Sequence, residues 1–307
     1  MARWTSADVL AYRNTEELIG LILETLQIYP EIANFFAVPI EQTTYKTLVE
    51  TALPEVAFRE DNVGRATQRP TWEVRNVECK FLDASWDVDV KVVNEFAWGI
   101  DKFLAEQTRS HIEAALSKIA IQTWYGITAD PTGFIGIASY LNSLSIPTVI
   151  DAGGRTANGC TSVFAVSTGL QKVGYAWGRE GKIFDGPVER VRINDPNDPA
   201  KVFHGWGQQI NGHVGLQVGT PKCIGRIANI DATHPLTDDL LSKLIESFET
   251  GFRPDAFYMT RQSQGQLQRS RTPVNITGVP APFPNEAFGY PIHVTDSLKM
   301  TEAVVPA

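Results

Sequence analysis

Asn94–Ile137 reads NEFAWGIDKFLAEQTRSHIEAALSKIAIQTWYGITADPTGFIGI, and this stretch decides the fold. Phe96, Ile100, Phe103, Leu104, Ile112, Leu116 and Ile119 recur at three- and four-residue spacing, which lines one helix face with apolar groups. Asn94 is placed to cap the start, and Glu95 falls in the first turn, where negative charge is favoured. Gly126 can take the left-handed conformation that ends helices, and Pro131 forbids resumption. A helix of roughly thirty residues rises about 45 Å, against a typical length of about a third of that. With no catalytic motif in the chain, so long a rod reads as a structural girder.

Upstream, the period changes to two. Val77, Cys79 and Phe81 alternate with Glu78 and Lys80, and Trp86, Val88, Val90 and Val92 alternate with Asp87, Asp89 and Lys91. Both runs predict strands with one buried face. Between Phe58 and Trp72 lies a polar excursion. Strand, excursion and strand describe an extended hairpin arm, which has too little surface to fold alone and must lie on something. Earlier still, Asn14 and Glu17 form a capping-box pattern before Leu18, Ile19, Ile22, Leu23 and Leu26. That helix is apolar on more than one face and must bury itself against the body or another chain. Tyr29-Pro30 ends it.

Downstream, Thr161–Gly169, Lys172–Gly178, Lys182–Ile193, Val214–Val218 and Cys223–Ile230 read as strands, with a turn at Asn194–Pro199. A helix is expected from Thr237, with Asp238 and Asp239 in its first turn and Leu240, Leu241, Leu244, Ile245 and Phe248 as its buried stripe. Tyr258–Arg271 reads as a helix interrupted by Gly265. Pro273–Pro284 reads as extended loop, and Tyr290–Met300 as a closing strand.

Composition narrows the function. The 307 residues are 43% hydrophobic and 20% charged, ordinary for a folded chain with an ample core. Net charge is −8 without runs of one sign, which argues against a dedicated nucleic-acid binder. The N-terminus lacks a signal-peptide pattern, and no apolar run approaches the roughly 18–20 residues that cross a bilayer. Cys79, Cys160 and Cys223 are far apart, form no CxxC pair and read as reduced thiols. Gly154–Thr161 has phosphate-loop spacing but Cys160 where the phosphate-binding Lys belongs, so it reads as a surface turn. His111, His204, His213, His234 and His293 form no metal-ligand spacing. Val166-Ser167-Thr168-Gly169 fails as a nucleophile elbow. Asp238-Asp239 is explained by the helix dipole. The tryptophans fall on element faces or ends, where core packing or subunit contact explains them. No catalytic residue, cofactor or metal site is expected.

The order of parts resembles the major capsid proteins of tailed bacteriophages, which have the Hong Kong 97-type fold. Leu48–Arg59, Val77–Asp89, the helix exit at Tyr125-Gly126 and Gly133–Gly136, Gly225–Asp231 and Phe288–Ala303 are similar to the gp-seven-type branch of that family. Together they cover nearly the whole chain. The resemblance implies an α+β fold with an N-terminal arm (1–49), an extended E-loop hairpin (50–90) and a peripheral domain with the spine helix (91–130). An axial domain (131–271) and a return to the peripheral domain (272–307) complete it. Phe96, Ile100, Phe103, Ile112, Leu116 and Ile119 would line the spine helix. Arg59, Glu60, Asp61, Arg65 and Arg69 of the E-loop, and Leu18, Ile22 and Leu26 of the arm, would contact neighbouring subunits.

The implied function is a coat protein that assembles through pentamers and hexamers into an icosahedral shell around double-stranded DNA. Its implied partners are its own copies, a separate scaffolding protein, a portal, optional decoration proteins and DNA held without sequence specificity; no membrane is implied. Assembly would take place in the host bacterial cytoplasm. The tip Asp61–Pro70 contains no Lys, so no covalent weld between subunits is expected. Two other readings are a decoration or tail component, and an enzyme with a cleft around His204 and His213.

Overall fold

The computed structural model describes residue 5 and residues 28–64, 66–181, 184–195, 197–198, 200–272 and 279–307. In chain order the elements begin with α1 (Pro30–Asn34), β1 (Phe36–Pro39), β2 (Thr44–Ala52), β3 (Thr71–Glu78), β4 (Lys80–Asp83), β5 (Trp86–Asp89), α2 (Val90–Asn94) and α3 (Ile100–Tyr125). There follow β6 (Val149–Asp151), β7 (Thr161–Val166), β8 (Val173–Trp177), β9 (Phe184–Asp185), β10 (Glu189–Asn194), β11 (Val202–Gln208), β12 (Ile210–Val218) and β13 (Ile224–Ile230). The chain closes with α4 (Asp238–Glu246), β14 (Ala256–Met259), α5 (Arg261–Arg271), β15 (Glu286–Ala287) and β16 (Tyr290–Val294).

The long helix α3 has 26 residues, about 39 Å, and starts at Ile100 rather than Asn94. Asn94 instead ends α2, which Asp89 caps by accepting from Lys91 N at 2.8 Å. Residues 95–99 are not helical and Gly99 takes φ 93, so Phe96 precedes α3; Val90 and Val92 belong to α2, not to a strand. The apolar stripe of α3 is buried only in its second half: Ile112, Leu116 and Ile119 are enclosed, whereas Ile100 is exposed and Phe103 half-buried. At the exit, Gly126 turns at φ 56 and packs backbone to backbone on Gly136, where any Cβ would overlap main-chain atoms. Gln122 Nε2 ties the exit loop down by donating to Phe134 O (2.7 Å) and Asp130 O (3.1 Å).

Three sheets surround this rod. The five-stranded sheet runs β1-β8-β12-β4 with β9 also on β12, and the three-stranded one runs β10-β11-β5. The six-stranded sheet runs β15-β16-β14-β7-β13-β6. Its central strands β7, β13 and β14 are buried on both faces, so alternate residues enter two cores. Val163, Ala165, Ile227 and Phe257 meet Leu241, Leu244, Phe248 and Leu267, from α4, the residues that follow it and α5. Phe164, Val166, Ile224 and Tyr258 meet the end of α3. There Trp124 stacks on Phe164 (5.0 Å) and meets Phe35 edge-on (6.0 Å). Phe35 in turn touches Tyr175 and Tyr258. This aromatic hub joins α1, β7, β8 and β14 to the helix.

The sheets do not divide at the borders 130 and 271. Strands β8–β12 pair with β1, β4 and β5, and β16 pairs with β14 rather than leaving that sheet. α5 runs unbroken through Gly265, and Tyr258 sits on β14 before it. Cys79 breaks the alternation between β3 and β4, so Phe81 points out rather than in.

Candidate inter-subunit surface

β2 and β3 form a two-stranded antiparallel sheet, from Thr44↔Glu78 to Ala52↔Thr71 with an irregularity near Glu50. It is the hairpin arm read from the sequence. Its tip turns at Glu60–Val63, where Val63 N donates to Glu60 O and Asn62 takes φ 61. Leu53 and Val56 are 80% and 78% exposed, Phe58 is fully exposed, and Trp72 and Val74 are each at least half exposed. Enclosing one such side chain contributes about 1.5–3 kcal/mol, so the tip carries unused burial. Of the expected contact residues, Arg59, Glu60, Asp61 and Arg69 stand exposed on this tip, with Arg59 donating to Val63 O at 3.2 Å. Arg65 and the arm residues Leu18, Ile22 and Leu26 lie outside the described residues.

The root of the hairpin is fixed to the body. Arg75 Nη1 donates to Val218 O (3.3 Å) and Gly219 O (3.1 Å) at the end of β12. A cleft of about 660 Å³ lies between β3, the loop Ile127–Tyr140 and β12. Exposed Ile127 and Ile135 belong to its rim.

At the start of α3, Phe96 meets Trp98 edge-on (5.5 Å) and Phe103 (5.1 Å), and Lys102 Nζ lies 4.6 Å over the Trp98 ring. Trp98 is 71% exposed. The periodicity of the long helix hid this cluster, because Phe96 and Phe103 read as part of one buried stripe.

The body behind these surfaces is locked by buried polar groups. Arg226 Nη2 pairs with Glu302 Oε2 at 2.8 Å, both nearly inaccessible. Glu302 also accepts from Tyr125 OH and Ser162 Oγ, and Arg226 donates to Leu141 O. Burial, with Glu302 beside it, pushes the Tyr125 pKa well up. The C-terminal segment is thereby tied to α3 and to the six-stranded sheet.

Most of the remaining sequence candidates have structural partners. Gly154–Thr161 forms a turn where Thr156 donates to Asp231 at 2.9 Å and Cys160 exchanges backbone hydrogen bonds with Glu302. Thr237 caps α4, Asp238 holds Arg271 with two hydrogen bonds, and Asp239 pairs with Lys243. His204 is exposed on β11, whereas His213 lies on β12 edge-on to Phe81, and burial lowers its pKa. Among the described residues no three His, Cys, Asp or Glu side chains are placed to hold a metal ion, and no helix is long and apolar enough to cross a membrane.

Residues 19–306 match the family described as major capsid protein GP7. A search of curated proteins finds no match. Among solved structures, a chain of bacteriophage epsilon15 aligns over 89% of this chain and 88% of its own, with TM-score 0.65 and 17% identity. A chain from the procapsid of bacteriophage JBD30 aligns over 93% and 100%, with TM-score 0.42 and 12% identity. The epsilon15 alignment carries the Hong Kong 97-type fold assignment, and the family match carries the role, a structural and not an enzymatic one. The chain belongs to the GP7 family and is a tailed-phage major capsid protein, which builds the virion shell from its own copies.

Proposed function

We propose that the hairpin Thr44–Glu78 is the E-loop, laid across a neighbouring subunit, and that α3 is the spine helix. The five- and three-stranded sheets beside α3 form the peripheral domain. The six-stranded sheet with α4 and α5 forms the axial domain, pointing at the five- or six-fold axis. Copies join in pentamers and hexamers and close an icosahedral shell around double-stranded DNA. The partners besides itself are a separate scaffolding protein, the portal, optional decoration proteins and the DNA, and assembly takes place in the host cytoplasm. The net charge of −8 suits a wall that holds DNA without tight phosphate contacts, which would hinder release.

One observation carries this reading. The hairpin tip presents Leu53, Val56 and Phe58 to solvent, with mixed charge from Arg59, Glu60, Asp61 and Arg69 around them. A patch of this kind is an interface awaiting its partner. Deleting Asn62–Arg69 tests it. The variant is expected to give folded subunits or capsomers that fail to close, and normal shells in electron micrographs would overturn the assignment.

A further inference from the structure

We propose that the apolar hairpin tip seats on the aromatic cluster at the start of α3 in a second copy of the chain. This rests on the reading of the hairpin as an inter-subunit arm and names the surface that the arm meets.

The cluster is built before any partner arrives. Phe96 holds Trp98 and Phe103 edge-on, Lys102 covers part of the Trp98 ring, and the φ of 93 at Gly99 sets the bend that presents them. Val92 and Ile100 extend the exposed apolar area. Pre-ordered aromatic groups of this kind act as interface anchors, because little side-chain entropy remains to be lost. The core leaves the site open: the stripe of α3 is enclosed only from Ile112 onward.

Exposure selects the occupant. The four most exposed large apolar side chains among the described residues are Phe58, Leu53, Val56 and Trp98. Three belong to the tip and one to the cluster, and each patch is open to solvent within its own chain. The paired part of the hairpin, nine residues in β2, reaches about 30 Å, so the tip stands away from its own root. A shell supplies the second copy at high local concentration. Both patches carry charges of both signs, Arg59, Arg69, Glu60 and Asp61 on the tip, and Lys102 over Trp98 with exposed Lys91, Glu95 and Asp101 close to it in sequence, so opposite signs can meet. Contact between two different patches is head-to-tail, and repeated around an axis it closes a ring. Ile127 and Ile135, exposed beside the hairpin root, offer no aromatic area for such an anchor.

The test is a Phe58→Cys/Trp98→Cys double variant; the three native cysteines are buried and do not compete. Oxidised shells are expected to give a ladder of linked chains on a non-reducing gel, and dissociated subunits none. Normal shells yielding single chains would overturn the contact and leave the hairpin reading standing. If the double variant does not assemble, hydroxyl-radical footprinting of unaltered shells decides. Phe58 and Trp98 are each expected to oxidise several-fold more slowly in shells than in free subunits. Protection of Phe58 without Trp98 overturns the docking site alone, and protection of neither overturns the arm as well.

Discussion

Glu31 is the residue with the most unusual setting. Its side chain is fully buried on α1; Thr295 Oγ1 donates to Oε1 at 3.1 Å, while Oε2 has no hydrogen-bond partner among the described residues. Desolvation raises its pKa and outweighs the neighbouring Ser297, Thr295 and Trp124. The folded state therefore keeps a proton that the unfolded carboxyl, titrating near its ordinary 4.5, has released. Folded chains bind more protons than unfolded ones, so this contribution is full below pH 4.5 and is lost as pH rises through the folded pKa. Glu31→Gln fixes the neutral form. Thermal unfolding of isolated subunits is expected to lose part of its decline with pH, and Tm at about pH 8 is expected to rise; an unchanged slope would refute this. The Arg226–Glu302 pair gives the opposite lesson. Arg226→Met strands a buried carboxylate and is expected to cost about 3–5 kcal/mol in urea unfolding. Adding Glu302→Leu is expected to recover part of that loss, as a coupled pair requires.

Elements were legible where one local rule fixed them. Thr237 with Asp238 and Asp239 announced α4, and the alternating strands around a polar excursion announced the hairpin. The start of α3 was not legible, because the spacing of Phe96 and Ile100 fits a continuous helix, whereas residues 95–99 leave the helix and Gly99 takes φ 93. The side of Phe81 was hidden for a similar reason: one residue, Cys79, between β3 and β4 inverts which side chains face inward. Partnerships such as β16 with β14 join segments far apart in sequence, which periodicity does not encode. The exposed tip of the candidate surface was visible from its charges, whereas Phe96 and Phe103 of the aromatic cluster read as core and Trp98 as either core or subunit contact. The helix exit is the element most open to a direct test. A Cβ on Gly136 would meet Gln122 O at 2.7 Å and Trp124 O at 2.8 Å, and both are main-chain atoms that cannot swing aside. Gly136→Ala is expected to destabilise the subunit by about 1–3 kcal/mol, seen as a lower urea midpoint. A midpoint equal to that of the native chain would show that the exit loop yields freely.

At the scale of the whole molecule, the question is what holds a shell of such subunits together. A covalent weld needs a nucleophile that reaches a neighbour. The hairpin tip from Leu53 to Pro70 contains no Lys. The cysteines do not replace it: all three are buried, and burial pushes the Cys79 and Cys223 thiols to about 11, so little thiolate exists at neutral pH. With the hairpin tip as the inter-subunit contact, cohesion is expected to come from apolar burial and exposed charge pairs. The burial term is additive over many copies, and the charge term weakens as salt screens it. Such contacts form and break during assembly, which lets a misplaced subunit leave. Purified shells heated in detergent without reductant are therefore expected to run as one band near 33.9 kDa. Subunit release in urea is expected to become easier as total protein is diluted, by mass action. Bands at multiples of the chain mass, or release independent of concentration, would show a covalent bond between subunits.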